Sequence, residues 1–366
     1  MNDSDPMNLR DFEAVAMTSI GRMAFDYYAG GADDEITLFE NTAAWGRARL
    51  LYRVLADVAD RTVGCTVLGH ELSMPVMAAP TAFHRMAHDE GELATVRATT
   101  GAGTAMILSS LSTVDVEDVL AAASGPVFFQ LYLYKDREIS RELIERVTAA
   151  GCAAIILTVD APLLGNRERD EQNGFALPDG ISIRNLTARG PLACDSDGGS
   201  GLAKFVRDHQ DPGLRWEHLE WLRSITNLPI VLKGICRRDD AVRAFDAGAS
   251  GIVVSNHGGR QLDTSPPTFE VLPGICEAVA GRGEVWVDGG IRRGTDVIKA
   301  LACGATATLI GRPILWGLAA DGQAGVERVW RIMAEELDLA MALAGCRNVG
   351  EITRDLVQLP GEDPRA

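Results

Sequence analysis

A histidine and an arginine three residues apart stand in the most informative string of the sequence, Ser255-Asn-His-Gly-Gly-Arg260. An imidazole changes its charge near neutral pH and can act as a general base, while an arginine can bind an anion through paired hydrogen bonds. Flexible glycines separate His257 from Arg260. The string alone predicts either a base beside an anion clamp or a structural histidine.

Two glycine-rich strings further along the chain predict a phosphate site. Asp288-Gly-Gly-Ile-Arg292 and Gly311-Arg312 each follow an apolar run. Glycines let the backbone approach a phosphate, and an arginine can bind it in a bidentate manner. The first strand is followed by Ala79-Pro-Thr-Ala-Phe83 and not by the GxGxxG string of a dinucleotide fold. We therefore expect the phosphate of a mononucleotide or of a phosphorylated substrate, and not NAD.

One pair of histidines is a candidate for a metal site. His84 and His88 have the i, i+4 spacing of metal ligands. Their neighbours Asp89 and Glu90 are typical of a helix N-terminus. We predict no metal site.

The elements that position these strings alternate between buried strands and amphipathic helices. Helical patterns such as 136–150 and 238–247 separate apolar runs of strand length. The predicted strands are 76–79, 105–109, 127–131, 154–158, 230–233, 251–255, 284–287 and 306–310. This alternation predicts the α/β class, and eight repeats predict a (β/α)8 TIM barrel.

Polar residues follow every predicted strand. They are Thr81, Ser109, Gln130 with Tyr132, Thr158 with Asp160, Lys233, Ser255 with His257, Asp288, and Arg312. Because the C-terminal ends of barrel strands meet on one face, we expect these side chains to form one active site there.

The chain reads as one domain, 1–366, with three parts. We expect residues 8–70 to form an N-terminal extension of helices and a small hairpin that closes the bottom of the barrel. We expect residues 74–353 to form the barrel. Between Asp160 and Pro229 the pattern needs a single helix, near 216–226, but the connection is much longer. Its excess, 165–213, is rich in Gly, Asp, Ser and Arg, so we expect a long, partly mobile active-site loop after strand 4.

Composition excludes several classes of protein. The chain has 35 basic and 51 acidic side chains, a formal net charge of −16 and a pI near 4.8, which argues against nucleic-acid or anionic-membrane partners. Its apolar stretches are strand-sized, far short of the roughly 20 residues that span a bilayer, and its polar N-terminus does not resemble a signal peptide. Seven scattered cysteines without a CxxC pair predict reduced thiols in a cytoplasmic protein.

Seven strings together resemble one family. They are Tyr27-Tyr-Ala-Gly-Gly-Ala-Asp-Asp-Glu, Ala79-Pro-Thr-Ala, Phe129-Gln-Leu-Tyr132, Thr158-Val-Asp160, Leu232-Lys-Gly234, Ser255-Asn-His-Gly-Gly-Arg-Gln-Leu-Asp263 and Asp288-Gly-Gly-Ile-Arg-Arg-Gly294. From about residue 8 to 353 the chain resembles the FMN-dependent 2-hydroxy-acid oxidases, which include glycolate, lactate and mandelate or hydroxymandelate oxidases. The resemblance implies FMN at the barrel mouth, oxidation of an (S)-2-hydroxy acid to the 2-oxo acid, O₂ reduced to H₂O₂, and a homo-oligomer (tetramer or octamer).

The resemblance also implies residue roles. The catalytic set is His257, Asp160, Tyr27, Tyr132 and Lys233. The substrate-binding set is Arg260, Arg167, Tyr27, Tyr132 and Leu111. The cofactor-binding set is Ala79, Pro80, Thr81, Ala82, Ser109, Gln130, Thr158, Lys233, Ser255, Asp288, Gly289, Gly290, Arg292, Gly311 and Arg312.

These implied roles are chemically consistent. His257 would take a substrate proton while Asp160 orients it and stabilises the imidazolium. The two arginines would clamp the substrate carboxylate, and the two phenols would bind its carboxylate and hydroxyl. Lys233 would stabilise the negative charge of reduced flavin.

Two departures from the family bear on the substrate. Glycolate oxidase carries Trp where this chain has Leu111, and the smaller side chain admits a bulkier acid. Asn166 replaces an arginine next to the clamp, and Asn173-Gly-Phe-Ala-Leu-Pro178 resembles hydroxymandelate oxidases. We therefore expect an aromatic or medium-chain acid and not glycolate.

Other functions stay open at this point. The sequence lacks an N-terminal haem domain and an apolar membrane-docking segment in 165–213, which favours O₂ as the electron acceptor. The alternatives are a family dehydrogenase or monooxygenase, an FMN-barrel isomerase acting on a phosphorylated substrate, and a non-catalytic flavin-binding barrel. The isomerase would not need the arginine clamp, and the non-catalytic barrel would not need His257.

Overall fold

Eight short parallel strands, buried along almost their whole length, close into a barrel in the computed structural model, which describes residues 6–186, 194 and 199–363. They are β4 (Val76–Ala78), β5 (Met106–Ser109), β6 (Val127–Leu131), β7 (Ile155–Thr158), β8 (Ile230–Ile235), β9 (Gly251–Val254), β10 (Glu284–Val287) and β11 (Ala307–Ile310). β11 pairs with β4, and the register places Thr308 opposite Val76. The predicted (β/α)8 barrel is confirmed, because continuous apolar runs form strands that are buried on both faces.

Amphipathic helices surround the barrel. They are α4 (Gly91–Gly101), α5 (Val116–Ala122), α6 (Arg137–Ala150), α9 (Glu217–Ile225), α10 (Arg238–Asp246), α11 (Thr268–Val279), α12 (Gly294–Ala302) and α13 (Arg312–Ala344). The sequence determines their ends locally: Asp136 caps α6 by accepting from the Glu138 amide at 3.0 Å, and Gly151, with φ of 99°, ends it.

The N-terminal extension combines three helices with two short pairs of strands. Its elements are α1 (Asp11–Ser19), α2 (Arg22–Ala29), α3 (Ile36–Arg47), β1 (Arg49–Leu50), β2 (Cys65–Val67) and β3 (His70–Leu72); β1 pairs with β12 (Val357–Gln358). β2 and β3 form an antiparallel hairpin. Val67 and Leu72 pack against barrel-interior side chains such as Met77, Phe128 and Trp286. The hairpin therefore covers the end of the barrel opposite the C-terminal strand ends.

The long connection between β7 and β8 contains more regular structure than expected. Besides α9 it contains α7 (Glu168–Gln172) and α8 (Gly201–His209). The prediction of a single helix is wrong, because Leu202, Phe205 and Val206 give α8 a buried apolar face and the Ser200 hydroxyl caps its first turn. Residues 187–193 and 195–198 of the predicted 165–213 loop lie outside the described residues.

No helix in the described part of the chain could span a membrane. None combines the length and the apolar composition that crossing a bilayer requires.

Candidate active site

A cavity that opens to solvent lies at the C-terminal ends of the barrel strands. The predicted residues that line it are Tyr27, Ala79, Pro80, Thr81, Ala82, Ser109, Leu111, Gln130, Tyr132, Thr158, Arg167, Lys233, His257, Arg260, Asp288, Gly289, Gly290, Arg292, Gly311 and Arg312. Asp160 and Ser255 are the two predicted residues that do not line it. Tertiary structure thus brings almost the whole predicted set to one site.

A chain of side-chain hydrogen bonds crosses three neighbouring strands at the cavity floor. The Ser109 hydroxyl donates to Gln130 Oε1 at 3.2 Å, and Gln130 Nε2 donates to Thr158 Oγ1 at 3.0 Å. The parallel register, which pairs Ser109 with Gln130, places these polar groups side by side. The result is a polar edge of the cavity whose donors and acceptors are fixed by one another.

Lys233 occupies the centre of a second buried network. Its ammonium donates to the Ser255 hydroxyl at 2.9 Å and lies 3.2 Å from Asp288 Oδ2. Burial lowers the pKa of Lys233, but Asp288 and Asp160 outweigh this effect and raise it, so the side chain stays cationic. Ser255 is fully buried behind Lys233. Ser255 supports Lys233 and is not among the residues that line the cavity, so its predicted contact with the cofactor stays a prediction.

His257 and Asp160 form a close pair beside the cavity. His257 Nδ1 lies 2.9 Å from Asp160 Oδ1, and Nε2 lies 3.4 Å from the Tyr132 hydroxyl. Because the carboxylate only accepts, Nδ1 carries the proton and Nε2 is left as an acceptor that faces the cavity. Gly234 makes room for this pair, since a Cβ there would lie 2.5 Å from Asp160 Cβ.

The pKa values of this pair suit a neutral base beside an anion. Burial lowers the pKa of His257 below its ordinary value, and Asp160 opposes part of that effect. Burial would raise the pKa of Asp160, but His257 and Lys233 together hold it below its usual range. His257 also has a left-handed backbone, with φ of 59°, a strained conformation that is common at functional sites.

Two arginines give another part of the cavity a positive charge. Arg260 Nη1 donates to the carbonyls of Tyr27 at 2.6 Å and Gly30 at 2.8 Å, and its guanidinium lies 4.9 Å above the Tyr27 ring. Arg167 Nε donates to the Arg260 carbonyl at 3.4 Å. Burial, with a contribution from Arg260, lowers the pKa of Arg167 to about 10. Asp170 interacts electrostatically with both arginines, but among the described residues neither guanidinium forms an ion pair with a carboxylate, so the two cations can bind an anion.

Arg292 and Arg312 place positive charge in the same cavity. Arg312 donates to three backbone carbonyls, and Arg292 Nη1 donates to the Ile291 carbonyl at 2.9 Å. Among the described residues neither side chain makes an ion pair with a carboxylate. Burial is the main cause that lowers the pKa of both groups, so an anion bound there would stabilise them.

Support from the N-terminal extension is the main feature that sequence reasoning missed. The Asn41 amide of α3 donates to Asn256 Oδ1 at 2.8 Å, beside His257. The Asp263 carboxylate accepts from the amide of Thr37 at 2.8 Å. A Cβ on Gly290 would lie 2.1 Å from the Asn41 carbonyl, so only glycine fits there. Asn256 and Asp263 lie in a string that was recognised, whereas Asn41 has no local signal.

The connection after β7 supplies further cavity residues that were not predicted. Leu202 and Val206 of α8 line the cavity, as does Gln210. Phe175 stacks on Tyr27 with ring centroids 4.6 Å apart. In the sequence, the apolar face of α8 could have indicated Leu202 and Val206, and Phe175 lies in the 173–178 string that resembles hydroxymandelate oxidases.

The histidine pair is not arranged as a metal site. His84 is fully buried and both of its ring nitrogens contact threonine hydroxyls, whereas His88 Nδ1 accepts from the Glu90 amide at 3.3 Å. In the ranges that the structure describes, no group of three or more His, Cys, Asp or Glu side chains could hold a metal ion.

Comparison with known proteins decides the family. The family model described as FMN-dependent dehydrogenase matches residues 16–359. The chain belongs to this FMN-dependent dehydrogenase family. An L-lactate oxidase of Nostoc sp. is 51% identical, covering 97% of this chain and 99% of the relative, and a glycolate oxidase of Arabidopsis thaliana is 48% identical, covering 98% and 97%. The crystal structure of mandelate oxidase with (S)-4-hydroxymandelic acid superposes with a TM-score of 0.92 at 44% identity, covering 97% of this chain and 99% of the other.

As a member of the FMN-dependent dehydrogenase family, the protein uses FMN, and its class is that of the 2-hydroxy-acid oxidases. The charged and polar residues that line the cavity fit this cofactor. Arg292 and Arg312, which form no ion pair with a carboxylate of the described residues, provide two cations for a phosphate. Asp288 Oδ1 is buried and has no hydrogen-bond partner among the described residues, so it is available to a hydroxyl group.

Proposed function

We propose that the protein oxidises (S)-2-hydroxy acids with an apolar aromatic or medium-chain tail to 2-oxo acids, with O₂ as the electron acceptor. The balanced reaction is R-CH(OH)-COO⁻ plus O₂ to R-CO-COO⁻ plus H₂O₂. FMN, when bound, accepts the hydrogen and two electrons that leave the α-carbon.

The composition of the cavity wall supports an apolar tail and is the observation that carries this proposal. Outside the predicted site residues, the described side chains that line the cavity carry no charge. Leu111, Leu202 and Val206 are buried apolar members of this wall. A tail with charged groups would lose its hydration there without gaining a partner, whereas an apolar tail gains from burial.

The polar edge of the cavity would bind the ring of FMN, and the cationic end would bind its phosphate. Ser109, Gln130 and Thr158, together with Thr81, would hold the isoalloxazine ring through their fixed donors and acceptors. Lys233 would stabilise negative charge on the ring.

The phosphate of FMN would bind to the arginines and glycines that come after β10 and β11. Gly290, Arg292, Gly311 and Arg312 would hold the phosphate, and Asp288 would accept from a hydroxyl of the ribityl chain. The left-handed Gly289 and Gly290, with φ of 98° and 78°, shape the backbone of this loop.

The substrate carboxylate would bind between Arg167 and Arg260. In the described part of the chain, Arg260 uses only Nη1 to donate to the carbonyls of Tyr27 and Gly30, which leaves Nε and Nη2 for the carboxylate. Stacking of Phe175 on Tyr27 restricts the ring that lies under Arg260. This pre-organisation lowers the entropy that the enzyme loses on binding.

His257 would take a substrate proton at Nε2. The Asp160 hydrogen bond holds Nδ1 protonated and stabilises the imidazolium that forms. The Tyr132 hydroxyl lies beside the same nitrogen and would orient the substrate hydroxyl.

The names of the relatives span acids of different tail size, from glycolate, which has no tail, to (S)-4-hydroxymandelic acid. The Nostoc relative acts on L-lactate, and the mandelate oxidase structure contains (S)-4-hydroxymandelic acid. Both acids have the configuration that we propose, and the wall around Leu111 favours the larger one.

A panel assay tests the proposal. Glycolate, (S)-lactate, (S)-2-hydroxyhexanoate, (S)-mandelate and (R)-mandelate would be compared by kcat/KM, with O₂ uptake and H₂O₂ measured in parallel. We expect one H₂O₂ per O₂, the highest kcat/KM for the hexanoate or (S)-mandelate, and little turnover of the (R) acid. A one-carbon-shorter acid with CO₂ would instead indicate a monooxygenase, and O₂-independent turnover with an artificial acceptor would indicate a dehydrogenase.

Location and assembly are further parts of the proposal. We propose a reducing cytoplasmic location, which is supported by seven cysteines that are scattered along the sequence without a CxxC pair. A homo-oligomer stays a prediction, which size-exclusion chromatography with light scattering would test.

A further inference from the structure

A buried histidine that the proposed chemistry does not use is joined to a residue of the cavity wall. His84 follows β4 and is fully buried. Its Nε2 lies 2.7 Å from the hydroxyl of Thr81, which lines the cavity. Its Nδ1 lies 2.9 Å from the hydroxyl of Thr95 in α4. The three side chains form a line from the helix to the cavity.

The available hydrogen atoms give this line a direction. The Thr95 hydroxyl donates to the Gly91 carbonyl at 3.3 Å, so its oxygen can only accept from His84. Nδ1 of His84 therefore carries the proton. Burial lowers the pKa of His84, although Glu92 opposes this, so the ring is neutral and Nε2 is an acceptor. Thr81 must then donate its only hydroxyl hydrogen to Nε2.

The backbone of this segment is held equally firmly. Glu92 is fully buried, and its Oε1 accepts from the amides of His84 at 3.2 Å and Thr113 at 2.9 Å. Its Oε2 accepts from the Thr113 hydroxyl at 2.6 Å. The histidine thus has little freedom to rotate or to release Thr81.

We propose that His84 is a positioning residue that holds the Thr81 hydroxyl as a pure hydrogen-bond acceptor towards an N–H group of the FMN ring. With its hydrogen engaged by His84, Thr81 presents only lone pairs to the cavity. The isoalloxazine ring has an N3–H in both oxidation states and an N5–H only when it is reduced. Thr81 would pair with one of these groups, and it would repel the ring oxygens, which only accept.

Four variants test this proposal, none of which depends on the identity of the substrate. His84→Phe removes the acceptor of the Thr81 hydrogen, and His84→Gln restores one through its amide oxygen. Thr81→Val removes the hydroxyl and preserves the shape of the side chain. His88→Gln is the matched control, because His88 is half-buried one turn later and contacts the Glu90 amide, not Thr81.

FMN release on dilution, followed by flavin fluorescence, and the midpoint potential would be measured on the full-length holoenzyme, with the melting temperature as a check of folding. We expect His84→Phe and Thr81→Val each to weaken FMN binding roughly tenfold, the change typical of one hydrogen bond. His84→Gln should recover most of that affinity, and His88→Gln should match the wild type. A fall in midpoint potential as well would assign N5–H, and an unchanged potential would assign N3–H.

Non-additivity separates positioning from a general structural role. If His84 acts through Thr81, the His84→Phe/Thr81→Val double variant should bind FMN no more weakly than either single variant. Additive losses, or wild-type FMN affinity and potential in His84→Phe, would overturn the proposal. Should His84→Phe fail to fold, wild-type FMN affinity in Thr81→Val would overturn it equally well.

Discussion

Arg260 and Arg312 donate to the same backbone oxygen, the carbonyl of Gly30. Arg260 Nη1 lies 2.8 Å from it and Arg312 Nη2 lies 2.9 Å from it. Gly30 follows the last residue of α2, where the final carbonyls of a helix lack intrahelical partners and its dipole is negative. The end of one N-terminal helix therefore connects a proposed substrate residue with a proposed phosphate residue.

This connection predicts that Arg312→Lys affects two ligands. A lysine cannot replace the three carbonyl bonds of Arg312, so we expect weaker FMN binding and, at saturating FMN, a higher KM for the hydroxy acid. Arg292→Lys is the control, because Arg292 does not bond to the described α2 carbonyls and should affect FMN alone. The Kd for FMN would be measured by titration, and the KM for the hydroxy acid by steady-state kinetics. Equal effects of the two variants on KM would contradict the connection.

Arg167→Lys and Arg260→Lys should both weaken the binding of the substrate carboxylate. Each charge-assisted bond is worth on the order of 1.5–3 kcal/mol, so kcat/KM should fall about 10- to 100-fold when a point charge replaces the guanidinium. The methyl ester of the same hydroxy acid lacks the anion and serves as the control substrate. An acid-to-ester ratio of kcat/KM that stays at the wild-type value would remove that arginine from the clamp.

Leu111→Trp should change substrate preference. The larger side chain would fill part of the buried wall and disfavour mandelate relative to lactate. Leu339→Trp adds the same volume at a side chain of α13 that is 59% exposed and does not line the cavity, so it should leave the preference unchanged. The ratio of kcat/KM for (S)-mandelate and (S)-lactate is the measurement. A ratio that is the same in Leu111→Trp and the wild type would place the tail elsewhere.

His257→Asn should separate proton transfer from binding. Removing a general base slows a reaction about 10²- to 10⁴-fold. We expect the variant to retain FMN and bind substrate, yet to reduce flavin at least roughly a hundredfold more slowly in anaerobic stopped flow. Near wild-type reduction would show that His257 is not the base.

The pair of His257 and Asp160 also predicts a pH dependence. The base must be neutral, so kcat/KM should fall on the acid side as His257 is protonated, with the midpoint below its ordinary value of 6.5. Asp160 raises this pKa, so Asp160→Asn should shift the acid limb to still lower pH while it lowers the maximal rate. Tyr132→Phe removes no negative charge near neutral pH and should leave the acid limb in place. A shift to higher pH in Asp160→Asn would contradict the assignment.

Much of the barrel and of the site could be predicted because the relevant signals are local. Apolar runs such as Ile155–Thr158 determine strands through their own burial, and polar residues directly after them have to lie at the C-terminal face. Helix limits are local as well, as Asp136 and Gly151 illustrate at the two ends of α6. The helix α8 was missed because the charged and glycine-rich residues around it concealed one short apolar face.

The sequence by itself determined the strand order, the polar groups at the strand ends and, through its motifs, the family. Only the tertiary structure decided which groups touch: Asn41 with Asn256, Ser255 behind Lys233, and the shared Gly30 carbonyl. The physical reason is distance along the chain. Propensity, periodicity and capping act over a few residues, whereas a contact such as that of Arg260 with Gly30 joins residues 230 positions apart and exists only once the barrel has closed.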